Sequence, residues 1–161
     1  GRLAPEKRLV EFVQAFIELQ SGHSLSIVGD GPEASAILEM AKAHSEIEIL
    51  GSLEQDRLSK VYSCHDVLVL VSDSEPWGLV VNEAVNFGLA LLLSPQIGSA
   101  PDLLDGNGTY LEDITPAMLG SALNDIEKNL VKYKEKSFQV ASETSVEHQA
   151  AGFLSVVTGE Y

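Results

Sequence analysis

The sequence predicts an α/β domain with a doubly wound, mainly parallel sheet. Short apolar runs alternate along the chain with longer amphipathic segments, which is the order expected of β-α-β units. One run, residues 67–71, consists of valine and leucine without polar alternation, as expected of a strand covered on both faces. Because crossovers between parallel strands are right-handed, helices should lie on both faces of the sheet.

The first predicted helix covers residues 5–20. Its apolar residues recur at spacings of three and four and therefore form one face: Leu9, Phe12, Val13, Phe16 and Ile17. Pro5 suits the first turn of a helix, and Gly22 lies just beyond its end.

The remaining elements alternate towards the end of the chain. The first strand, residues 25–28, ends in a glycine-rich turn, and Gly51 ends the second strand. Gly88 caps the helix that follows the valine and leucine run. After the first helix, the predicted order is strand 25–28, helix 33–43, strand 47–50, helix 54–63, strand 66–71, helix 78–87, strand 90–93, a short helix ending at 104, strand 109–111, and helices 116–129 and 146–157.

Composition and charge narrow the class of protein. With 161 residues and 45% hydrophobic residues, the chain can form one domain with its own core. The net charge of −14 gives a surface that repels nucleic acid, so we exclude nucleic acid as a partner. Cys64 is the only cysteine, which rules out an internal disulfide and fits a cytoplasmic location.

The most informative segment, residues 72–84, follows the valine and leucine run. Ligands of such sheets bind beyond the carboxyl ends of the strands, at helix N-termini. The backbone N–H groups of Gly78, Leu79 and Val80 start a helix and would form an anion site without basic side chains. This suits a stretch, 61–127, that contains no Lys or Arg.

Two acids and a set of N-terminal bases accompany this anion site. The bases are Arg2, Lys7 and Arg8. Glu75 and Glu83 would not bind phosphate, but each could accept hydrogen bonds from hydroxyl groups, as the sugar and the ribose of a nucleotide sugar would offer. From the two acids alone, a loop acid and a solvated helix acid remain the simpler interpretation.

Glu75 and Glu83, with seven residues between them, resemble the E-x7-E signature of retaining GT-B glycosyltransferases. The resemblance is greatest to glycosyl transferases group 1, also called family 4. Residues 1–9, 27–32 and 66–72 resemble further segments of this family in the same order, so the resemblance extends over roughly residues 1–125. It implies a Rossmann-like sheet that is the single C-terminal half of a GT-B fold.

The resemblance implies roles for the charged residues. Arg2 and Lys7 match the bases that neutralise the donor diphosphate, and we place them with Glu75 in the catalytic group. Glu75 matches the acid that binds hydroxyl groups of the donor sugar. Glu83 matches the acid that binds the ribose.

The resemblance also implies donor-binding roles for neutral residues. Gly29 lies in the turn after the first strand, and Leu53 is expected near the base of the nucleotide. Trp77 either packs against the donor or anchors its loop. The backbone groups that match phosphate donors are those of Gly78, Leu79 and Val80.

The implied function is retaining transfer of a sugar from a nucleotide-diphospho-sugar to a glycan, a lipid-linked or a small-molecule acceptor. The resemblance also implies that the departing phosphate acts as the base. Neither a cofactor nor a metal is expected, because the cationic groups take the place of a metal ion. Since the chain opens where a strand should just have ended, we expect residues 1–161 to be the donor-binding domain, with 130–161 a helical extension. The acceptor-binding N-terminal domain is then absent, and the chain alone should be inactive in transfer.

Other interpretations stay open. Asp73 and Glu75 could form the metal-binding acid pair of the other large glycosyltransferase fold. The same half also occurs in nucleotide-sugar epimerases, and a non-catalytic nucleotide-binding module would share its features. A row of lysines on the helix after position 116 is either a solvated face or a peripheral contact with the inner face of a membrane: Lys128, Lys132 and Lys136.

Overall fold

The computed structural model describes residues 1–144, in which helices and strands alternate as predicted. A 3-10 turn at Pro5–Lys7 precedes the helices α1 (Leu9–Leu19), α2 (Ala34–Ala41), α3 (Gln55–Ser63), α4 (Leu79–Asn86), α5 (Ala100–Leu103) and α6 (Pro116–Glu143). The strands are β1 (Leu25–Val28), β2 (Ile47–Gly51), β3 (Val67–Leu70), β4 (Ala90–Leu93) and β5 (Gly108–Tyr110). The predicted helix over 146–157 lies outside the described residues.

Two helices differ from their predicted bounds by more than two residues. The first is interrupted at Arg8, whose left-handed conformation (φ 48°) separates the 3-10 turn from α1. The helix predicted to end at residue 129 continues to Glu143 in α6. It continues because core-facing residues recur at helical spacing along its whole length, from Ile126 through Tyr133 to Val140.

The strands pair in parallel throughout the described part of the chain, but they form two sheets. One sheet contains β1 and β2, and the other has the order β3-β4-β5. The start of the chain lies beside the carboxyl end of β1. There the nitrogen of Gly1 donates a hydrogen bond to the Val28 carbonyl oxygen at 2.8 Å.

Residues 1–7, which we call the N-terminal segment, join the carboxyl ends of the two sheets. On one side, the Leu3 N–H donates to the carbonyl oxygen of Asp30 at 2.8 Å, just after β1. On the other, the carbonyl oxygen of Glu6 accepts from the Asp73 N–H and from the Ser72 hydroxyl, each at 2.8 Å, just after β3. This path brings the end of the segment to the loop that follows β3.

Helices cover both faces of the larger sheet, which confirms the predicted α/β architecture. Along β4, Ala90 and Leu92 belong to a core cluster with residues of α1, α2 and α6. Leu91 and Leu93 belong to a second cluster with residues of α3, α4 and α5. All four are 0% exposed. Side chains of β3 alternate between the same two clusters, as expected of an apolar run covered on both faces.

Candidate functional site

A pair of buried serines fixes the chain where β3 and β4 end. The Ser72 N–H donates to the Ser94 hydroxyl, which donates in turn to the Ser72 carbonyl oxygen, each at 3.0 Å. Sequence reasoning missed both residues. The available signal was a serine next to the end of each apolar run. The pair sets the start of residues 72–78, which we call the Glu75 loop.

Residues 96–99 hold the Glu75 loop in place through backbone hydrogen bonds. The Gly98 N–H donates to the Glu75 carbonyl oxygen at 2.8 Å, and the Ser99 N–H donates to the Trp77 carbonyl oxygen at 3.0 Å. A Cβ atom on Gly98 would overlap the carbonyl oxygen of Pro76. Only glycine therefore fits at 98 without moving the loop, whereas the Ser99 side chain is accommodated with 0% exposure.

Lys7 and Glu75 form an ion pair at the carboxyl end of β3. Their side chains are 19% and 20% exposed, so water screens this pair less than a surface pair. The Lys7 ammonium lowers the pKa of the Glu75 carboxyl, and the backbone N–H groups of Trp77 and Gly78 act in the same direction. Glu75 is therefore ionised at neutral pH. The structure brings together two residues that lie 68 positions apart in the sequence.

The Glu75 loop ends in a turn that starts α4. Gly78 is buried in the left-handed conformation (φ 85°), which favours glycine, and a Cβ there would lie 3.1 Å from the Leu70 side chain. Gly78 differs from the other two predicted phosphate donors, because its N–H contributes to lowering the pKa of the Glu75 carboxyl. Leu79 and Val80 are the first residues of α4, whose position leaves their N–H groups without acceptors inside the helix.

Glu83 is held by a tyrosine that sequence reasoning did not single out. The Tyr62 hydroxyl donates to Oε2 of Glu83 at 2.7 Å. Tyr62 is 7% exposed, and its ring stacks on Phe87 with centroids 5.3 Å apart. Burial raises the pKa of Tyr62 well above its ordinary value, and Glu83 raises it further. The phenol therefore remains a hydrogen-bond donor at every physiological pH.

The predicted acids lie on one stretch of chain at the carboxyl edge of the strands. Glu75 lies in the Glu75 loop, which runs into α4, and Glu83 lies on α4 itself. The ion pair with Glu75 brings Lys7 to the same edge.

Arg2, Gly29 and Leu53 lie along the neighbouring edge, at the ends of β1 and β2. Arg2 pairs with Asp30 through the backbone, and its exposed side chain has no ion-pair partner within residues 1–144. The Gly29 N–H donates to the Gly51 carbonyl oxygen at 2.8 Å, which aligns the two strand ends. Leu53 is half-buried in the turn that follows β2.

Trp77 anchors the Glu75 loop to α4, which is one of the two roles expected for it. Its indole N–H donates to Oδ1 of Asn82 at 2.8 Å, while 42% of the residue stays exposed. The Leu79 side chain beside it is 71% exposed.

Arg8 forms ion pairs with Glu11 at 2.6 Å and with the loop residue Asp73 at 3.4 Å. Of the three N-terminal bases, Lys7 is thus the one that meets a predicted site residue.

Comparison with known proteins identifies the family. Residues 1–139 match the family model described as glycosyl transferases group 1. The chain belongs to this family. It is 29% identical over 161 residues to the O-antigen biosynthesis glycosyltransferase WbnH of Escherichia coli, an alignment that covers 99% of this chain and 45% of that protein.

A pneumococcal relative links the chain to a solved structure. The GtfA subunit of the UDP-N-acetylglucosamine–peptide N-acetylglucosaminyltransferase of Streptococcus pneumoniae is 30% identical over 164 residues, covering 99% of this chain and 31% of that protein. The crystal structure of the pneumococcal O-GlcNAc transferase GtfA in complex with UDP and GlcNAc matches with a TM-score of 0.74 and 26% identity, covering 98% of this chain and 34% of that one. The fold is therefore that of half of a GT-B enzyme, and the chain spans less than half the length of these relatives.

No helix within residues 1–144 combines the length and the apolarity that crossing a membrane requires. In the same part of the chain, no three histidine, cysteine or acidic residues are grouped closely enough to hold a metal ion.

Proposed function

We propose that this chain is the donor-binding part of a retaining glycosyltransferase and binds a nucleotide-diphospho-sugar. The observation that carries the proposal is the convergence of Lys7, Glu75 and the first turn of α4 at the end of β3. Glu83 lies on α4 itself, eight positions after Glu75. Lys7 and the free N–H groups of α4 could bind an anion. The two carboxylates could accept hydrogen bonds from hydroxyl groups on either side of that anion.

The proposed chemistry follows from the charge that leaves with the nucleotide. Departure of a nucleoside diphosphate increases negative charge on its terminal phosphate. Lys7 and the N–H groups of Leu79 and Val80 would stabilise that charge more in the transition state than in the ground state. We propose that Arg2, whose side chain is exposed, turns towards the same anion. We propose that these groups act without a metal ion and that the departing phosphate serves as the base.

The acids would hold the two ends of the donor. Glu75 would accept hydrogen bonds from the sugar, and Glu83 from the ribose. The base would lie towards Leu53 and Gly29 at the ends of β1 and β2. UDP and GlcNAc occupy the related GtfA structure, which supports a nucleoside diphosphate sugar as the class of donor. Retention of configuration is proposed from the resemblance of the Glu75 and Glu83 motif.

Sugar discrimination is the first prediction. Wild-type protein should bind one of the UDP-, GDP- or ADP-sugars more tightly than the bare diphosphate, in titration calorimetry. Glu75→Ala should remove this preference, so that an affinity ratio of about tenfold in favour of the sugar nucleotide falls to about one. Glu135→Ala, on the exposed side of α6, is the control and should change neither affinity. Equal wild-type affinity for both ligands would favour a nucleotide-binding module instead.

Transfer by the 161 residues alone is the second prediction. The two relatives are more than twice as long as this chain. We propose that the acceptor, which is a glycan, a lipid-linked molecule or a small molecule, is bound by a second domain such as their additional length would form. The chain alone should then bind the donor but transfer little or no sugar to an acceptor. Turnover assays with several acceptors test this, and efficient transfer would contradict it.

Contact with a membrane stays a prediction, as does a cytoplasmic location. One member of the predicted lysine row, Lys136, forms an ion pair with Asp105 at 2.8 Å. Lys128 and Lys132 are exposed and would carry such a contact.

A further inference from the structure

We propose that Tyr62 is a positioning residue of the donor site, which fixes Glu83 so that a single carboxylate oxygen faces the ribose. This inference rests on the proposed function, because it assigns Tyr62 to the acid that would bind the ribose hydroxyl groups. Tyr62 itself would not touch the donor. Its hydroxyl lies 2.7 Å from Oε2 of Glu83.

The tyrosine is held rigidly by its surroundings. It lies on α3, is 7% exposed, and belongs to the core cluster under α4. Its ring stacks on Phe87 at an interplanar angle of 23°. Phe87 lies four residues after Glu83, so the two face the same side of α4, and one tyrosine contacts both. The ring fixes the hydroxyl, and the hydroxyl in turn fixes the carboxylate.

The hydrogen bond between Tyr62 and Glu83 runs in one direction, from the hydroxyl to the carboxylate. Because the hydroxyl of Tyr62 stays protonated, it donates to Glu83 and occupies one carboxylate oxygen. The other oxygen then points in a fixed direction, and a ligand hydroxyl that binds it does not have to order the side chain first. Such preorganisation lowers the entropy cost of binding. Removing the hydroxyl should therefore weaken recognition of the ribose specifically.

The test compares a ribonucleotide with its dideoxy counterpart. The probes are UDP, GDP and ADP, and the 2′,3′-dideoxy form of whichever one the wild-type protein binds. Tyr62→Phe keeps the ring and removes only the hydroxyl. It should raise the dissociation constant of the ribonucleotide about fivefold and leave that of the dideoxynucleotide unchanged. In a Glu83→Ala background, Tyr62→Phe should have no further effect on either ligand.

A second buried tyrosine provides the matched control. The Tyr133 hydroxyl donates to Oδ2 of Asp125 at 2.7 Å, and Tyr133 is 9% exposed on α6. Tyr133→Phe removes the same kind of hydrogen bond and should leave both affinities unchanged, while thermal unfolding reports the stability of each variant.

The possible outcomes separate the two proposals. Equal weakening of both nucleotides by Tyr62→Phe would show a structural role, and no weakening of either would show that the contact is dispensable; each overturns the positioning role. Wild-type protein that binds none of the three diphosphates would instead overturn the proposed function, before any variant is made.

Discussion

Leu92→Ala should lower the free energy of unfolding by about 2–5 kcal/mol. Leu92 is 0% exposed in the middle of β4, between β3 and β5, and packs in the cluster formed with α1, α2 and α6. The truncation removes buried methyl groups and leaves a cavity, because β4 is hydrogen-bonded on both edges and cannot move to fill it. Urea denaturation followed by circular dichroism measures the change.

Two further leucines make this a test of the fold. Leu91→Ala, on the opposite face of β4, should cost a similar amount because both faces are covered. Leu79→Ala should change stability by less than about 0.5 kcal/mol, since that side chain is 71% exposed. A loss below about 1 kcal/mol for either strand variant would contradict a strand buried on both faces.

The order of helices and strands was predictable from the sequence because local signals mark each boundary. Gly51 and Gly88 lie where β2 and the helix before β4 end, and the apolar spacing distinguishes helix from strand. The left-handed Arg8 and the division into two sheets were not predictable in this way. The N-terminal segment before Arg8 forms hydrogen bonds to residues far along the chain, and no local pattern in the sequence marks these contacts.

The candidate site could be proposed only where the sequence resembles a known motif. Glu75, Glu83 and Lys7 were assigned roles because the segments around them resemble those of a known family, whereas the two acids alone favoured a simpler interpretation. Tyr62 escaped notice because a tyrosine on an amphipathic helix is ordinary, and its partner lies 21 positions away. Ser72 was missed for a related reason: a serine after a strand becomes significant only when the neighbouring strand places another beside it.

Lys7→Ala should raise the dissociation constant of the bound nucleoside diphosphate by about 10- to 100-fold. The variant loses a charged contact to the proposed diphosphate. It also leaves the carboxylate of Glu75, now without its partner, close to the negative charge of the ligand. Titration calorimetry at low salt measures both affinities. Lys42→Ala is the matched control, because Lys42 also pairs with a glutamate, Glu39, but on the exposed surface of α2.

Neutralising Glu75 separates the two causes of the lost diphosphate affinity, which are the missing Lys7 contact and repulsion by the unpaired Glu75 carboxylate. If repulsion by Glu75 contributes, the double variant Lys7→Ala/Glu75→Gln should bind the diphosphate more tightly than Lys7→Ala alone, since glutamine has almost the same shape without the charge. The part that remains lost then measures the contact that Lys7 itself makes. If Lys7→Ala binds within twofold of wild type, the ion pair only shapes the Glu75 loop, and the cation that meets the diphosphate must be sought at Arg2.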